Sequence, residues 1–182
     1  MAARQPAPGR LRLVEDFVNT REEDDDAITT PAALAAWLAE RGLLRGGARA
    51  TQDDLRRARE VREALRALLR ANNGSPPDDA AIRTLNEFAD RARYVLRFSP
   101  EGEATLAPGA GGVDGALAEI LHIVHHAMAD GTWPRLKACR MDTCGWAFWD
   151  SSRNQSAAWC SMRVCGNRAK ARAYRERRGA GA

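Results

Sequence analysis

Cys139, Cys144, Cys160 and Cys165 are the four cysteines of this 182-residue chain, and they stand in one 27-residue stretch spaced C-x4-C-x15-C-x4-C. Thiolates are soft ligands, and two close pairs separated by a short insert can each supply half of a tetrahedron, so the pattern points to a structural zinc site. Two other readings compete: a pair of disulfides in an oxidising compartment, and four unconnected buried thiols. The first twenty residues contain no apolar run ahead of a small-residue cleavage site, as a secretory signal would. The expectation is therefore a cytoplasmic chain whose thiols stay reduced.

A second group of chemistry-bearing residues is His122, His125 and His126, which are all the histidines present. His122 and His126 are i, i+4 neighbours on an expected helix, the spacing of a metal pair or a general base. The alternative is a partly buried polar edge beside a Leu/Ile stripe. No carboxylate follows in the pattern of a zinc-hydrolase helix, which favours that alternative. A four-thiolate zinc site leaves no open position for water, and the chain has no nucleophile motif, P-loop or dinucleotide fingerprint, so an enzyme is not expected.

Charge is unevenly placed. The chain carries a net +4, but the segment from Arg135 to Arg178 holds eleven Lys and Arg against three Asp and Glu, while residues 1–134 are net acidic. Basic charge that travels with the cysteines is an electrostatic footprint for phosphate. No apolar run approaches the ~20 residues that span a bilayer, so no membrane partner is expected.

The elements that must carry these groups read as an α+β chain. Leu11 to Val18 is an apolar cluster ambiguous between helix and strand, and Glu22 to Asp26 reads as a solvated acidic loop. Thr30-Pro31 is an N-cap followed by proline, opening a helix that stops at Gly42. Thr51 caps a long helix to Ala71 with Leu55, Ala58, Val61, Leu65, Leu68 and Leu69 inward. Asp78 to Ala92 makes a third helix with Ile82, Leu85 and Ala89 inward. Tyr94 to Phe98 and Ala104 to Leu106 flank a β-hairpin turn. A Gly-rich connection then leads to a fourth helix ending at Asp130, apolar at Leu117, Ile120, Leu121, Val124 and Met128.

Between the cysteine pairs lie Trp146, Phe148, Trp149 and Trp159, large surfaces for a module too small to have a core of its own. Metal must supply most of its stability, so the segment is expected to be largely disordered without zinc. After Cys165 an Ala-rich stretch without breakers should be helical. At about 100° per residue it places Arg168, Arg172 and Arg175 on one stripe, with Lys170 and Arg177 on the other side near Tyr174. The expected division is a mainly helical domain over 1–134 and a small treble-clef-like zinc module over 135–182 that ends in a basic helix.

The run Cys144-Gly145-Trp146, Phe148-Trp149-Asp150, Ser152-Arg153-Asn154, Trp159-Cys160-Ser161-Met162 and Cys165-Gly166-Asn167-Arg168-Ala169-Lys170 resembles the CGNR zinc finger family of bacterial regulators. The preceding residues resemble the ABATE ligand-binding domain, through Leu13 to Thr20 with its Phe17-Val18-Asn19-Thr20 end. The resemblance implies a stress-responsive transcriptional regulator. Its first domain would sense a signal or a small-molecule effector, and its finger would bind DNA with Cys139, Cys144, Cys160 and Cys165 on one zinc. The chain departs from the family pattern at Ala157 and Ala158, where members commonly carry arginine, so two potential phosphate contacts are absent.

On this reading Arg153, Arg163, Arg168, Lys170, Arg172 and Arg175 would neutralise phosphates. Asn154 or Asn167 could join an arginine at base edges. Asn19 is the residue expected at an effector pocket; a cap or turn role is the alternative. Coupling between the halves is expected to pass through Gly131 to Lys137. A homodimer would fit a palindromic operator. The competing function is a protein- or RNA-interaction module in which zinc only staples a surface.

Overall fold

Thr51 starts the longest helix by a reciprocal cap. Its hydroxyl accepts from the Asp54 N–H, and the Asp54 carboxylate accepts from the Thr51 N–H at 2.7 Å. The computed structural model describes residues 5–22, 25–45 and 47–179. In chain order the helices are α1 (Leu11–Val18), α2 (Pro31–Glu40), α3 (Gln52–Ala71), α4 (Asp79–Ala92), α5 (Gly112–Ala129) and α6 (Asn167–Gly179). Three two-stranded antiparallel sheets accompany them: β1 (Arg21–Glu22) with β2 (Asp25–Asp26), β3 (Tyr94–Phe98) with β4 (Ala104–Pro108), and β5 (Leu136–Ala138) with β6 (Ala147–Trp149).

The caps read from sequence are in place at Thr30 and Thr51, Asp78 caps α4, and Gly42 takes the left-handed conformation at φ +68° that ends the turn after α2. The ambiguous first cluster is helical, burying Leu11, Val14, Phe17 and Val18. The α+β class holds: mostly helix, one free-standing hairpin, and a small cysteine module at the end. No helix among the described residues is long and apolar enough to cross a membrane.

Helices α1, α2, α3 and α5 enclose one core around Phe17, Leu34, Leu65, Leu117 and Ile120, with the Phe17 and Trp37 rings 5.6 Å apart. The same core takes in Leu136, Ala138, Ala147 and Trp149 from the β5–β6 hairpin. A separate cluster of Cys139, Met141, Phe148 and Cys165 lies on the far side of that hairpin, with Trp146 and Trp159 packed against it. Alternate residues of the two strands thus serve two different interiors.

Two expectations are corrected here. On α4 the buried residues are Ala81, Phe88 and Ala92; Leu85 packs against the core and Ala89 is half-buried, as expected, but Ile82 is 37% exposed, because contact with α3 and α5 selects the face that carries the large Phe88 ring. The acidic run is only partly a solvated loop. Glu23 and Asp24 lie outside the described residues, but Asp26 accepts two hydrogen bonds from the buried Arg62, at 2.8 and 2.9 Å. Burial alone would push the Asp26 carboxyl up; the Arg62 guanidinium, with the Ile28 N–H and Arg59, holds it below its ordinary range.

Candidate metal centre and nucleic-acid interface

Cys139 follows directly on β5, and the chain then turns back through Met141 to Gly145 into β6. The Cys144 N–H donates to the Met141 carbonyl at 2.9 Å, and the Cys139 N–H donates to the Trp146 carbonyl at 2.9 Å, so the first pair sits on the tip of a knuckle. Gly145 makes the turn at φ +59°, and a Cβ there would stand 3.3 Å from Arg66 and Arg70 side-chain atoms. The second pair frames the entry to α6. Ser161 caps a wide turn over Met162–Gly166, accepting from the Val164 N–H at 3.3 Å, and that turn continues into the helix. At Gly166 a Cβ would lie 2.5 Å from the Met162 sulfur and 3.3 Å from the Trp159 ring, so a side chain there would have to displace Met162. A knuckle facing a helix start is the treble-clef-like arrangement expected.

All four sulfurs lie within 4.8 Å of one another, and the Cys144–Cys160 and Cys160–Cys165 sulfurs are each 3.6 Å apart. A tetrahedron with Zn–S bonds of about 2.3 Å has edges of about 3.8 Å. The cluster therefore fits a structural Zn²⁺, and its separations are far above the ~2.05 Å of a disulfide. The thiols also resist shedding their protons together. Hydrogen bonds from Cys144 and Cys160 hold the Cys139 thiol down to about 2; the Cys139 sulfur in turn pushes Cys144 up to about 12 and Cys160 upward, and burial pushes Cys165 upward. A divalent cation at the centre removes that conflict by offsetting the shared negative charge.

The loop between the pairs is organised by a buried ion pair. Lys137 Nζ donates to Asp150 at 2.8 Å and also to the Gln155 carbonyl, while Asp150, fully buried, accepts from the N–H groups of Ser152 and Ala157. Burial would raise the Asp150 carboxyl, but Lys137 and the Ser152 and Ala157 donors hold it at about 2. Ala157 thus has a backbone role, donating its N–H to the Asp150 carboxylate.

The module is tied to the helices at several points. Asn19 exchanges two hydrogen bonds with the Ala147 backbone. Arg66 donates to the Gly145 carbonyl and the Val18 carbonyl, each at 2.7 Å, and Asn73 donates to the carbonyls of Ala138 and Ala158. Asn72 donates to the Trp133 and Leu136 carbonyls at 2.9 Å. The contacts between the two parts are therefore not confined to Gly131–Lys137. Asn19, expected at an effector pocket, spends its amide on Ala147; the cap reading, the alternative, matches its place as the C-cap of α1. Arg66, Asn72 and Asn73 were not anticipated, because polar residues on a helix give no sequence sign that distant carbonyls will meet them.

Arg153, Asn154, Arg163, Asn167, Arg168, Lys170, Arg172 and Arg175 are all exposed. Arg163 lies in the turn before α6, and Asn167, Arg168, Lys170, Arg172 and Arg175 lie on the helix, with Arg172 3.5 Å from Asp142 of the knuckle. Arg153 and Asn154 stand in the loop that Asp150 braces. His122 and His126 approach to 3.1 Å between Nε2 atoms, with His122 half-buried and held below the ordinary histidine range by burial. Among the described residues the four cysteines are the one group of three or more His, Cys, Asp or Glu that could hold a metal.

A search of curated proteins found no match to this chain. Family models match in the order expected from the residues: the model described as "Putative stress-induced transcription regulator" covers residues 11–132, and the CGNR zinc finger model covers residues 135–178. Spanning well over half of the sequence, the first match shows that the chain belongs to the ABATE family, and the second that it carries a CGNR zinc finger.

Proposed function

We propose that the protein is a zinc-dependent DNA-binding regulator of transcription in which residues 1–134 sense a stress signal or effector and residues 135–182 form the DNA-binding module. The observation that carries this reading is the position of the four sulfurs at the base of α6, whose exposed surface holds Arg168, Lys170, Arg172 and Arg175. Zinc on Cys139, Cys144, Cys160 and Cys165 would fix the start of a helix too short to be stable alone, and so the direction in which its guanidinium groups point.

In the bound state Arg153, Arg163, Arg168, Lys170, Arg172 and Arg175 contact phosphates, and Asn154 and Asn167 assist at base edges. Asn19 acts in transmission, holding the end of α1 to β6. No catalytic step is assigned: four thiolates fill the zinc, and the protein works in the cytoplasm as a binding device, as a dimer where the operator is palindromic.

The test is fluorescence anisotropy of a mixed-sequence duplex titrated with the zinc-loaded chain at several salt concentrations. Contact with four to six phosphates gives a slope of log K against log[salt] of about −3.5 to −5.5. A slope near zero, or no binding, would move the reading to a protein-interaction module; preference for single-stranded RNA over duplex would move it to an RNA one.

A further inference from the structure

A cavity of about 960 Å³ opens in the helical part, where the start of α1, the loop after α2, the end of β4 and the start of α5 meet. Three basic residues line it, Arg10, Arg41 and Arg45, against a single acidic one, Glu119. Glu119 is taken by Arg10 at 2.7 Å. The excess positive charge therefore belongs to Arg41 and Arg45.

Arg41 is held in position, and the carboxylate it pairs with is an exposed one. Its Nη1 donates to the Trp37 carbonyl at 3.2 Å, and its guanidinium lies 4.0 Å over the Trp37 ring, while the nearest carboxylate is the exposed Glu40 at 3.5 Å. A guanidinium stacked on a buried indole loses little further freedom when it takes an anion, which favours binding. The rest of the wall is apolar or small, with Leu13, Leu43, Leu44 and Pro108 among its residues. At this volume, near the upper end for small-molecule sites, an inorganic ion would fill a minor part and leave the apolar wall wet.

We propose that this cavity is the effector site, and that it takes an amphipathic organic anion whose carboxylate lies between Arg41 and Arg45 and whose apolar body covers the leucines. The proposal deepens the sensing half of the regulator reading and rests on it. The site also has a direct route to the metal module. Arg10 and Leu13 on the cavity stand at the start of α1, and about 12 Å farther along this eight-residue helix its C-cap Asn19 is bonded to Ala147 of β6. A ligand held at Arg41 and Arg45 with its apolar body against Leu13 touches the end of the helix whose other end holds the hairpin.

Calorimetry on the zinc-loaded, full-length chain without DNA tests this, using octanoate and 2-naphthoate against 1-octanol and octylammonium. The two carboxylates are expected to bind saturably at one per chain, octanol at least tenfold more weakly, and octylammonium not at all. Arg45→Gln, in an exposed loop, and Arg41→Gln should each weaken carboxylate binding about tenfold with zinc content unchanged. Absence of saturable binding by both carboxylates, equal binding of all head groups, or unchanged affinity in both variants would overturn the proposal. Because no DNA is present, failure of the DNA-binding reading leaves this result intact, and the converse holds.

Discussion

Asn19 and Ala147 stand 128 residues apart and pair as neighbouring strands do: Asn19 Nδ2 donates to the Ala147 carbonyl at 2.9 Å, and the Ala147 N–H donates to Asn19 Oδ1 at 2.8 Å. One side-chain amide thus supplies a rung of ladder to the open side of β6, three residues from Cys144. Ala147 is fully buried, so neither backbone group has water as a substitute. Replacing Asn19 with alanine strands both and should cost about 1–3 kcal/mol. Urea unfolding checks the magnitude. Faster amide exchange at β6, with α4 unchanged, distinguishes a broken latch from general loosening.

Arg66 is the second tie. It is buried, bridges the carbonyls of Val18 and Gly145, and pairs with Glu63 at 3.0 Å. Burial lowers its readiness to carry charge, while Glu63 supports it. Arg66→Met keeps most of the volume but leaves two carbonyls unmet, and a loss of about 2–4 kcal/mol is expected. Zinc should also leave this variant faster, measured by transfer to a colorimetric chelator.

Lys137 and Asp150 form the buried pair that shapes the loop carrying Arg153 and Asn154. Asp150→Asn leaves the Lys137 ammonium buried without a counter-charge and should cost about 3–5 kcal/mol. The sign with pH follows from the carboxyl, held at about 2 against an ordinary 3.8. A depressed acid stabilises the fold fully above its unfolded value and loses that contribution as pH falls through the folded one. The gap between wild type and D150N should therefore stay constant from pH 8 to about 4 and narrow only below that. A gap that shrinks already between pH 8 and 6 would rule out this pair as its source.

Zinc removal should not melt the whole C-terminal segment, as the sequence alone suggested. Leu136, Ala138, Ala147 and Trp149 belong to the main core and have no need of metal to stay there. Cys160, the turn to Gly166 and α6 depend on the sulfur cluster. Hydrogen exchange after chelation should show residues 160–179 losing protection at least tenfold more than residues 136–138 and 147–149.

What could be read from sequence was whatever is local. Thr30 and Thr51 announce their helices because a cap needs only the next three residues, and the cysteine spacing announces a metal because its chemistry is confined to one stretch. The exposure of Ile82 on α4 was not legible because Phe88 and Ile82 are equally apolar in sequence, and only the packing of α3 and α5 chooses between them. Arg62 and Arg66 lie in an arginine-rich helix where most charges are solvated. Nothing in the series tells that these two meet Asp26, Val18 and Gly145 inside the fold. The Asn19 amide was legible as chemistry, and its partner was not.

The most direct measurement is zinc content per chain by atomic emission, followed by duplex DNA binding of the same sample before and after chelation and after zinc is restored. One zinc per chain, DNA binding lost at least tenfold on chelation and recovered with zinc, is the expected result. DNA binding of unchanged affinity in a zinc-free sample would contradict the claim that the four cysteines set the DNA-binding helix in place.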